Sequence, residues 1–139
     1  MWRRGAQELP FKLLFGHAQD ALAACDVSLV ASGTATLEAA LIKRPMVIAY
    51  RMSPWSWWLL KRMRYQPWVG LPNILAGRFV VPEFLQGEAT PENIAQAMGN
   101  LMSEKKLAIG IERVFDDIHM QLRQGTAEKA AAAIAECLA

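Results

Sequence analysis

Residues Ala31-Ser32-Gly33-Thr34-Ala35-Thr36-Leu37-Glu38 combine a glycine, three hydroxyls and a carboxylate within eight positions. They join the apolar run Val27-Ser28-Leu29-Val30-Ala31 to a helix-favouring stretch from Thr34 to Ile42. A strand that delivers its carboxyl end into a helix N-terminus makes an anion site, because the first N–H groups of the helix lack partners inside it. Gly33 lets backbone approach an anion closely, and Ser32, Thr34 and Thr36 can add hydroxyl donors. A diphosphate would fit. Glu38 falls one turn beyond Thr34 on the same helical face, about 6 Å along the axis, within reach of a ribose diol. A capping box does not account for Glu38, since the residue three before it is Ala35, which has no hydroxyl. The same spacing also suits an ordinary strand-to-helix turn with a solvated acid.

Two further residues could serve that edge. Arg51 follows the apolar run Met46-Val47-Ile48-Ala49-Tyr50, and its forked donors suit either a phosphate or a surface carboxylate. Asn73, in Leu71-Pro72-Asn73, carries an amide that either bonds a ligand oxygen or shapes the turn; on the residues alone the turn is favoured. The segment 54–64 places Trp55, Trp57 and Trp58 beside Lys61, Arg62 and Arg64. This is the composition of a helix lying on a membrane surface, and equally of a covering helix whose tryptophans face the core, the slightly favoured reading. GxxxxGK[ST], GxGxxG, HExxH, CxxC and GxSxG patterns are absent, His17, His119, Asp20 and Asp26 are scattered, and no metal site is expected.

The elements that must position these residues read as an α/β domain. Phe11–Phe15 suggests a short strand, Ala18–Ala24 a helix, Val27–Ala31 a buried strand, Thr34–Ile42 a helix and Met46–Tyr50 a strand. Strands without polar alternation, joined by a helical crossover, predict a parallel sheet flanked by helices. Ser53-Pro54 opens a helix to about Arg64, residues 70–73 read as a loop, Phe79-Val80-Val81 as a last strand ended by Pro82, and Glu83–Leu85 as a helical turn. Thr90-Pro91-Glu92 starts a helix striped by Ile94, Ala97, Met98, Leu101 and Met102. Ile111, Val114, Phe115, Ile118 and Leu122 stripe the next, and Thr126 caps a final alanine-rich helix with Ile134, Cys137 and Leu138 on one side.

The chain has 139 residues, 53% hydrophobic and 20% charged, which suits one domain and excludes disordered and collagenous classes. No apolar run approaches the roughly 20 residues of a transmembrane helix, and no leader pattern follows Met1-Trp2-Arg3-Arg4, so a cytoplasmic protein is expected. Cys25 and Cys137 read as two buried thiols rather than a disulfide scaffold. Residues 1–80 hold ten Lys/Arg against four Asp/Glu, and residues 81–139 five against nine. The basic first part suits an anionic ligand, while the net charge of +2 is too mild to indicate nucleic acid.

The series Ala31–Glu38, Arg44-Pro45-Met46-Val47, Tyr50-Arg51-Met52 and Leu71-Pro72-Asn73-Ile74-Leu75-Ala76-Gly77-Arg78 resembles lipid-A-disaccharide synthase over about residues 10 to 125. The resemblance implies an inverting, metal-independent glycosyltransferase of GT-B architecture that uses no cofactor. It would transfer 2,3-diacylglucosamine from UDP-2,3-diacylglucosamine to 2,3-diacylglucosamine 1-phosphate. It further implies that residues 32–36 meet the diphosphate, Glu38 the ribose, and that Arg51 and Asn73 line the donor cleft. Acylated substrates imply work on the cytoplasmic face of the inner membrane, where Trp55, Trp57, Trp58, Lys61 and Arg62 are candidates for surface contact.

Family members are considerably longer, and the half that holds the acceptor side and the proposed general base has no counterpart here. The expectation is therefore one truncated, Rossmann-like nucleotide-sugar-binding domain over 1–139, the partial C-terminal half of a GT-B fold, with a helical tail over about 90–139. It is expected to be inactive alone, and prone to self-association through an exposed sheet edge. Two other readings stand beside it: a UDP-sugar 2-epimerase, against which residues 71–78 argue, and a non-catalytic membrane or interaction module built on the tryptophans.

Overall fold

Met46, Val47 and Ile48 are all fully buried, and since successive strand residues point to opposite faces, the strand they belong to is covered on both sides. In the computed structural model, which describes residues 12–31, 33–63 and 67–138, this strand lies at the centre of a three-stranded parallel sheet. The strands are β1 (Ser28–Val30), β2 (Met46–Tyr50) and β3 (Glu83–Leu85), in spatial order β1-β2-β3. Ser28 pairs with Met46 and Val30 with Ile48, and Ile48 in turn with Glu83 and Tyr50 with Leu85. The helices are α1 (Ala18–Ala24), α2 (Thr34–Leu41), α3 (Pro54–Met63), α4 (Leu71–Ala76), α5 (Pro91–Ser103), α6 (Lys105–Leu122) and α7 (Thr126–Leu138). A parallel sheet with helical crossovers, flanked by helices and followed by a helical tail, is a partial Rossmann-like half of the expected kind.

Small residues let the crossover helix sit close. Ala39 and Ala40 of α2 are fully buried, and α2 packs on α4 and α6, while α5 packs on β2 and α6. Phe115 and Ile118 of α6 join Val30, Val81, Leu101 and the β2 residues in the core. Lys43 ends α2 in the left-handed region (φ 63°), and its Nζ donates to the Phe115 carbonyl at 3.0 Å and lies 3.1 Å from Asp116 Oδ1, fastening α2 to α6.

Several expectations are corrected. Residues 12–15 form no strand, and Leu13, Leu14 and Phe15 are exposed; Phe11 lies outside the described residues. A strand needs a neighbour, and β1 pairs only with β2 among the described residues, with Leu29 exposed on its open face. Residues 71–76 are helix rather than loop: Pro72 sits in the first turn, where its missing N–H costs nothing, and Gly77 (φ 64°) closes the helix.

The last strand is Glu83–Leu85, not Phe79–Val81. The Asn73 amide takes the ladder's place at Val80 and Val81, so sheet pairing starts only at Pro82, whose carbonyl accepts from Ile48 N–H at 2.9 Å. Met102, Leu122 and Ile134 are exposed rather than packed, Cys137 is exposed and Cys25 only half-buried. Thr126 is the first residue of α7, not its cap; Gly125 (φ 63°) precedes it and accepts from Lys129 N–H at 3.1 Å. Thr90 does cap α5, accepting from Asn93 N–H at 3.2 Å, and Ser53 caps α3, accepting from Ser56 N–H at 3.1 Å.

Candidate functional site

In a parallel sheet the carboxyl ends of all strands open on one edge, and here the chain leaves β1 toward Gly33, β2 toward Arg51 and β3 toward Gln86. Gly33 is the N-cap of α2 with φ 119° and ψ −161°, a region essentially confined to glycine. Among the described residues no side chain caps this helix start, and Gly33, Thr34 and Ala35 are all exposed. The free N–H groups of the first turn therefore face solvent beyond the end of β1, with the positive end of the helix dipole behind them. Ser32 lies outside the described residues.

Thr36 has a different place from the other hydroxyls. It is fully buried, and its Oγ1 donates to the Gly33 carbonyl at 2.7 Å while its own N–H donates to the same oxygen at 3.1 Å. Its hydroxyl proton is thus committed to holding the turn and fixing the conformation of Gly33. Glu38 is exposed and borders a cavity of about 310 Å³ lined by Gly16, His17, Ala18, Gln19 and Asp20. His17 Nδ1 and Asp20 Oδ2 stand 2.9 Å apart on the far wall. The sequence reading missed this wall. Gly16, with φ 76° just ahead of α1, is the signal for a tight chain reversal there, but nothing in the spacing ties residue 16 to residue 38.

Arg51 is exposed and is in no ion pair among the described residues. Its Nε donates to the Gln86 carbonyl at 2.9 Å, and Gln86 Oε1 accepts from Met52 N–H at 3.3 Å. This clasp ties the ends of β2 and β3 together, and Gln86 holds it in a left-handed conformation (φ 54°). Behind Gln86 lies a cavity of about 550 Å³ walled by Trp57, Lys61, Trp68, Phe79, Leu85 and Glu88, among others.

Asn73 is placed inside the fold rather than at its surface. It is 0% exposed, and every polar group of its amide is engaged. Nδ2 donates to the Val81 carbonyl at 2.9 Å and to Glu83 Oε1 at 2.8 Å, while Oδ1 accepts from Val80 and Val81 N–H at 2.7 and 2.9 Å. Glu83 in turn accepts from Val69 and Gly70 N–H, both at 2.9 Å, and so closes the N-terminus of α4 from a distant strand. Asn73 holds a joint between α4 and the chain entering β3.

The tryptophans split. Trp57 is half-buried against the larger cavity, but Trp55 and Trp58 are exposed, with Lys61 and Arg62 exposed beside them. The slightly favoured reading, a helix whose tryptophans face the core, holds at most for Trp57. No described helix is long and apolar enough to cross a membrane.

Comparison with known proteins gives this edge a family. A family model for lipid-A-disaccharide synthetase matches residues 4–137. A lipid-A-disaccharide synthase of Dechloromonas aromatica is 67% identical over 138 residues, covering 99% of this chain and 36% of the relative. Similar proteins of the same name from Aromatoleum aromaticum and Pseudomonas fluorescens are 57% and 52% identical, over 93% and 92% of this chain and 33% of each relative. The chain spans about a third of the length of the curated relatives it matches. With the match running almost end to end, the chain belongs to the lipid-A-disaccharide synthetase family, glycosyltransferases of lipid A biosynthesis.

Proposed function

We propose that this chain is the nucleotide-sugar-binding part of a lipid-A-disaccharide synthase, a single domain that grips UDP-2,3-diacylglucosamine while the sugar passes to 2,3-diacylglucosamine 1-phosphate. The observation that carries the reading is the Gly33 turn, a glycine-only conformation that leaves the first N–H groups of α2 uncapped beyond the carboxyl end of β1. The diphosphate would sit on the Thr34 and Ala35 N–H groups, with Ser32 and the Thr34 hydroxyl as further donors and Thr36 holding the turn behind them. Glu38 would take the ribose hydroxyls at the mouth of the 310 Å³ cavity. As the glycosidic bond to the diphosphate breaks, negative charge grows on the departing UDP; the helix N-terminus and Arg51 would stabilise it.

The reaction needs a base against the acceptor hydroxyl, and none of this chain's carboxylates has that role in the proposal. Glu83 is bonded into the α4 joint and Glu38 is given to the ribose. The chain alone should then bind UDP without making disaccharide, and it needs neither metal nor cofactor to do so. Because both sugars carry acyl chains, it would work peripherally on the cytoplasmic face of the inner membrane. Titration calorimetry with UDP tests the reading: the expected result is saturable one-to-one binding, and the absence of heat with UDP overturns it. Full disaccharide synthesis by the isolated chain would overturn the division of labour.

A further inference from the structure

The 550 Å³ cavity behind Gln86 lies between two elements that leave the carboxyl edge of the sheet. Helix α3, which follows β2, gives it Trp57 and Lys61, and the turn after β3 gives it Gln86, Gly87 and Glu88. Trp57, Trp68 and Leu85 are half-buried along it, and Phe79, on the same wall, is 61% exposed. Three aromatic rings and a leucine thus offer apolar surface that the fold itself leaves partly open. The volume falls within the range of about 300–1,000 Å³ that small-molecule sites occupy.

The charges of this wall do not suit an anion, since Glu83 and Glu88 line it against one cation, Lys61. A neutral group fits better. One polar group in the wall also lacks a partner: Gln86 Oε1 accepts from Met52 N–H at 3.3 Å, but Nε2 is buried with no hydrogen-bond partner among the described residues. The residue that carries this open donor is itself held in the left-handed region (φ 54°), which side chains other than glycine's seldom adopt. A buried donor left open in a strained residue calls for an acceptor from outside the fold.

The order of groups along the edge points to the ligand. Neighbouring strands lie about 4.8 Å apart, so the ends of β1 and β3 are about 10 Å apart. Gly33 stands past the first, Arg51 past the second and Gln86 past the third. With the diphosphate on the Gly33 turn and the ribose at Glu38, the sugar hangs from the other phosphate, and Arg51 and Gln86 are the next groups in line. Each acyl group on a glucosamine is a carbonyl followed by hydrocarbon, which matches an open N–H followed by aromatic walls. We propose that this cavity is an acyl-chain pocket of the donor site: the carbonyl of one acyl group accepts from Gln86 Nε2, and its chain lies against Trp57, Trp68, Phe79 and Leu85. The pocket rests on the nucleotide reading above and adds to it the means of choosing an acylated sugar nucleotide over a plain one.

The test is titration calorimetry of the 139-residue chain with UDP, with UDP-N-acetylglucosamine, and with UDP-glucosamine bearing hexanoyl groups at positions 2 and 3, short enough to stay in solution. The parent should bind the hexanoylated ligand at least about tenfold more tightly than the acetylated one. Phe79→Ser, at a side chain mostly open to solvent, should cut that preference about fivefold. Gly87→Phe should abolish it, because a Cβ added at Gly87 meets nothing within 4 Å and the ring has room to fill the cavity. Gln86→Glu keeps an oxygen for Met52 N–H while removing the open donor, and should reduce the preference about threefold. UDP itself should bind Phe79→Ser and Gly87→Phe as it binds the parent, with unchanged far-UV circular dichroism.

Equal binding of the acetylated and hexanoylated ligands by the parent, or an undiminished preference in Phe79→Ser and Gly87→Phe, would overturn the pocket. So would a loss of UDP affinity in those variants as large as the loss for the hexanoylated ligand, which gives the residues to the fold or the nucleotide instead. An unchanged preference in Gln86→Glu alone would overturn the carbonyl contact. Heat with UDP but no gain from the hexanoyl chains sinks the pocket and leaves the nucleotide reading standing, whereas no heat with any of the three ligands sinks both.

Discussion

The turn after β1 and the joint between α4 and β3 are both rich in polar groups, and they differ in what those groups face. At the joint, Asn73, Glu83 and the backbone of residues 69, 70, 80 and 81 satisfy one another, and Asn73 has no solvent exposure. At the turn, one buried hydroxyl, that of Thr36, holds a conformation only glycine adopts readily, and the groups it presents have no side-chain cap among the described residues. A closed polar network yields rigidity and nothing to bind with, whereas an open one, held in a costly conformation by buried support, is the arrangement the proposed diphosphate site requires. The two sites should therefore fail in opposite ways, one by unfolding and the other by losing ligand.

The largest effect is expected at the joint. Asn73→Ala would leave the Val80 and Val81 N–H groups unsatisfied in the core, so the chain should lose about 2–5 kcal/mol of stability in urea unfolding. Asn73→Asp separates the roles further: its oxygens can still accept from Val80 and Val81, but donation to Val81 is lost and a second carboxylate faces Glu83 at hydrogen-bond distance. It should remain destabilised. If either variant kept full stability and lost only UDP binding, Asn73 would be a ligand residue after all.

Gly70→Ala probes the same joint by space rather than bonding. A Cβ there would collide with Ile48 Cδ1 and stand 2.7 Å from Glu83 Oε1, though the φ of −75° suits any residue. Overpacking of this kind costs about 1–3 kcal/mol, and the midpoint of thermal unfolding should fall accordingly. Gly33→Ala is its counterpart at the turn, where an added Cβ meets nothing within 4 Å and only the φ of 119° resists it. A loss of about 1–3 kcal/mol is expected again. The distinguishing readout is UDP heat, which should vanish in Gly33→Ala and persist in Gly70→Ala under conditions where both are folded.

Why the open site can be read in the sequence and the closed one cannot follows from how far apart the partners lie. Ser32 to Glu38 form one local unit, so glycine, hydroxyl and carboxylate spacing within a short stretch is enough to suggest an anion site. The crossover β1-α2-β2 is legible for the same reason: the continuous apolar runs Val27–Ala31 and Met46–Tyr50 mark its strands, which form over Ser28–Val30 and Met46–Tyr50. The joint depends on Asn73 reaching residues 80–83 and on Glu83 reaching back to residues 69 and 70, and nothing in Leu71-Pro72-Asn73 announces either. That one side-chain amide moves the expected strand from 79–81 to 83–85, and its joint closes the start of a helix, α4, where a loop is expected. The tryptophans are ambiguous because three of them within four residues must face different ways on a helix, and only packing decides which.

The smallest effect on stability, with a partial loss of UDP binding beside it, is expected at Glu38. Its side chain is exposed on α2, away from the buried Ala39 and Ala40, so Glu38→Gln should leave stability within about 0.5 kcal/mol of the parent. If the carboxylate grips the ribose diol, the amide loses charge-assisted acceptance from two hydroxyls, and UDP affinity should fall about tenfold, equivalent to about 1.4 kcal/mol. The 2′-deoxy nucleotide supplies the control. The parent should prefer UDP over dUDP, while Glu38→Gln should bind the two nearly alike, because the group that reads the second hydroxyl is gone. A variant that weakens both nucleotides by the same factor and keeps the preference would move Glu38 off the ribose and make it a general charge at the mouth of the cavity. That outcome would leave the Gly33 turn in place as the diphosphate cradle, since the two contacts lie a helical turn apart and fail separately.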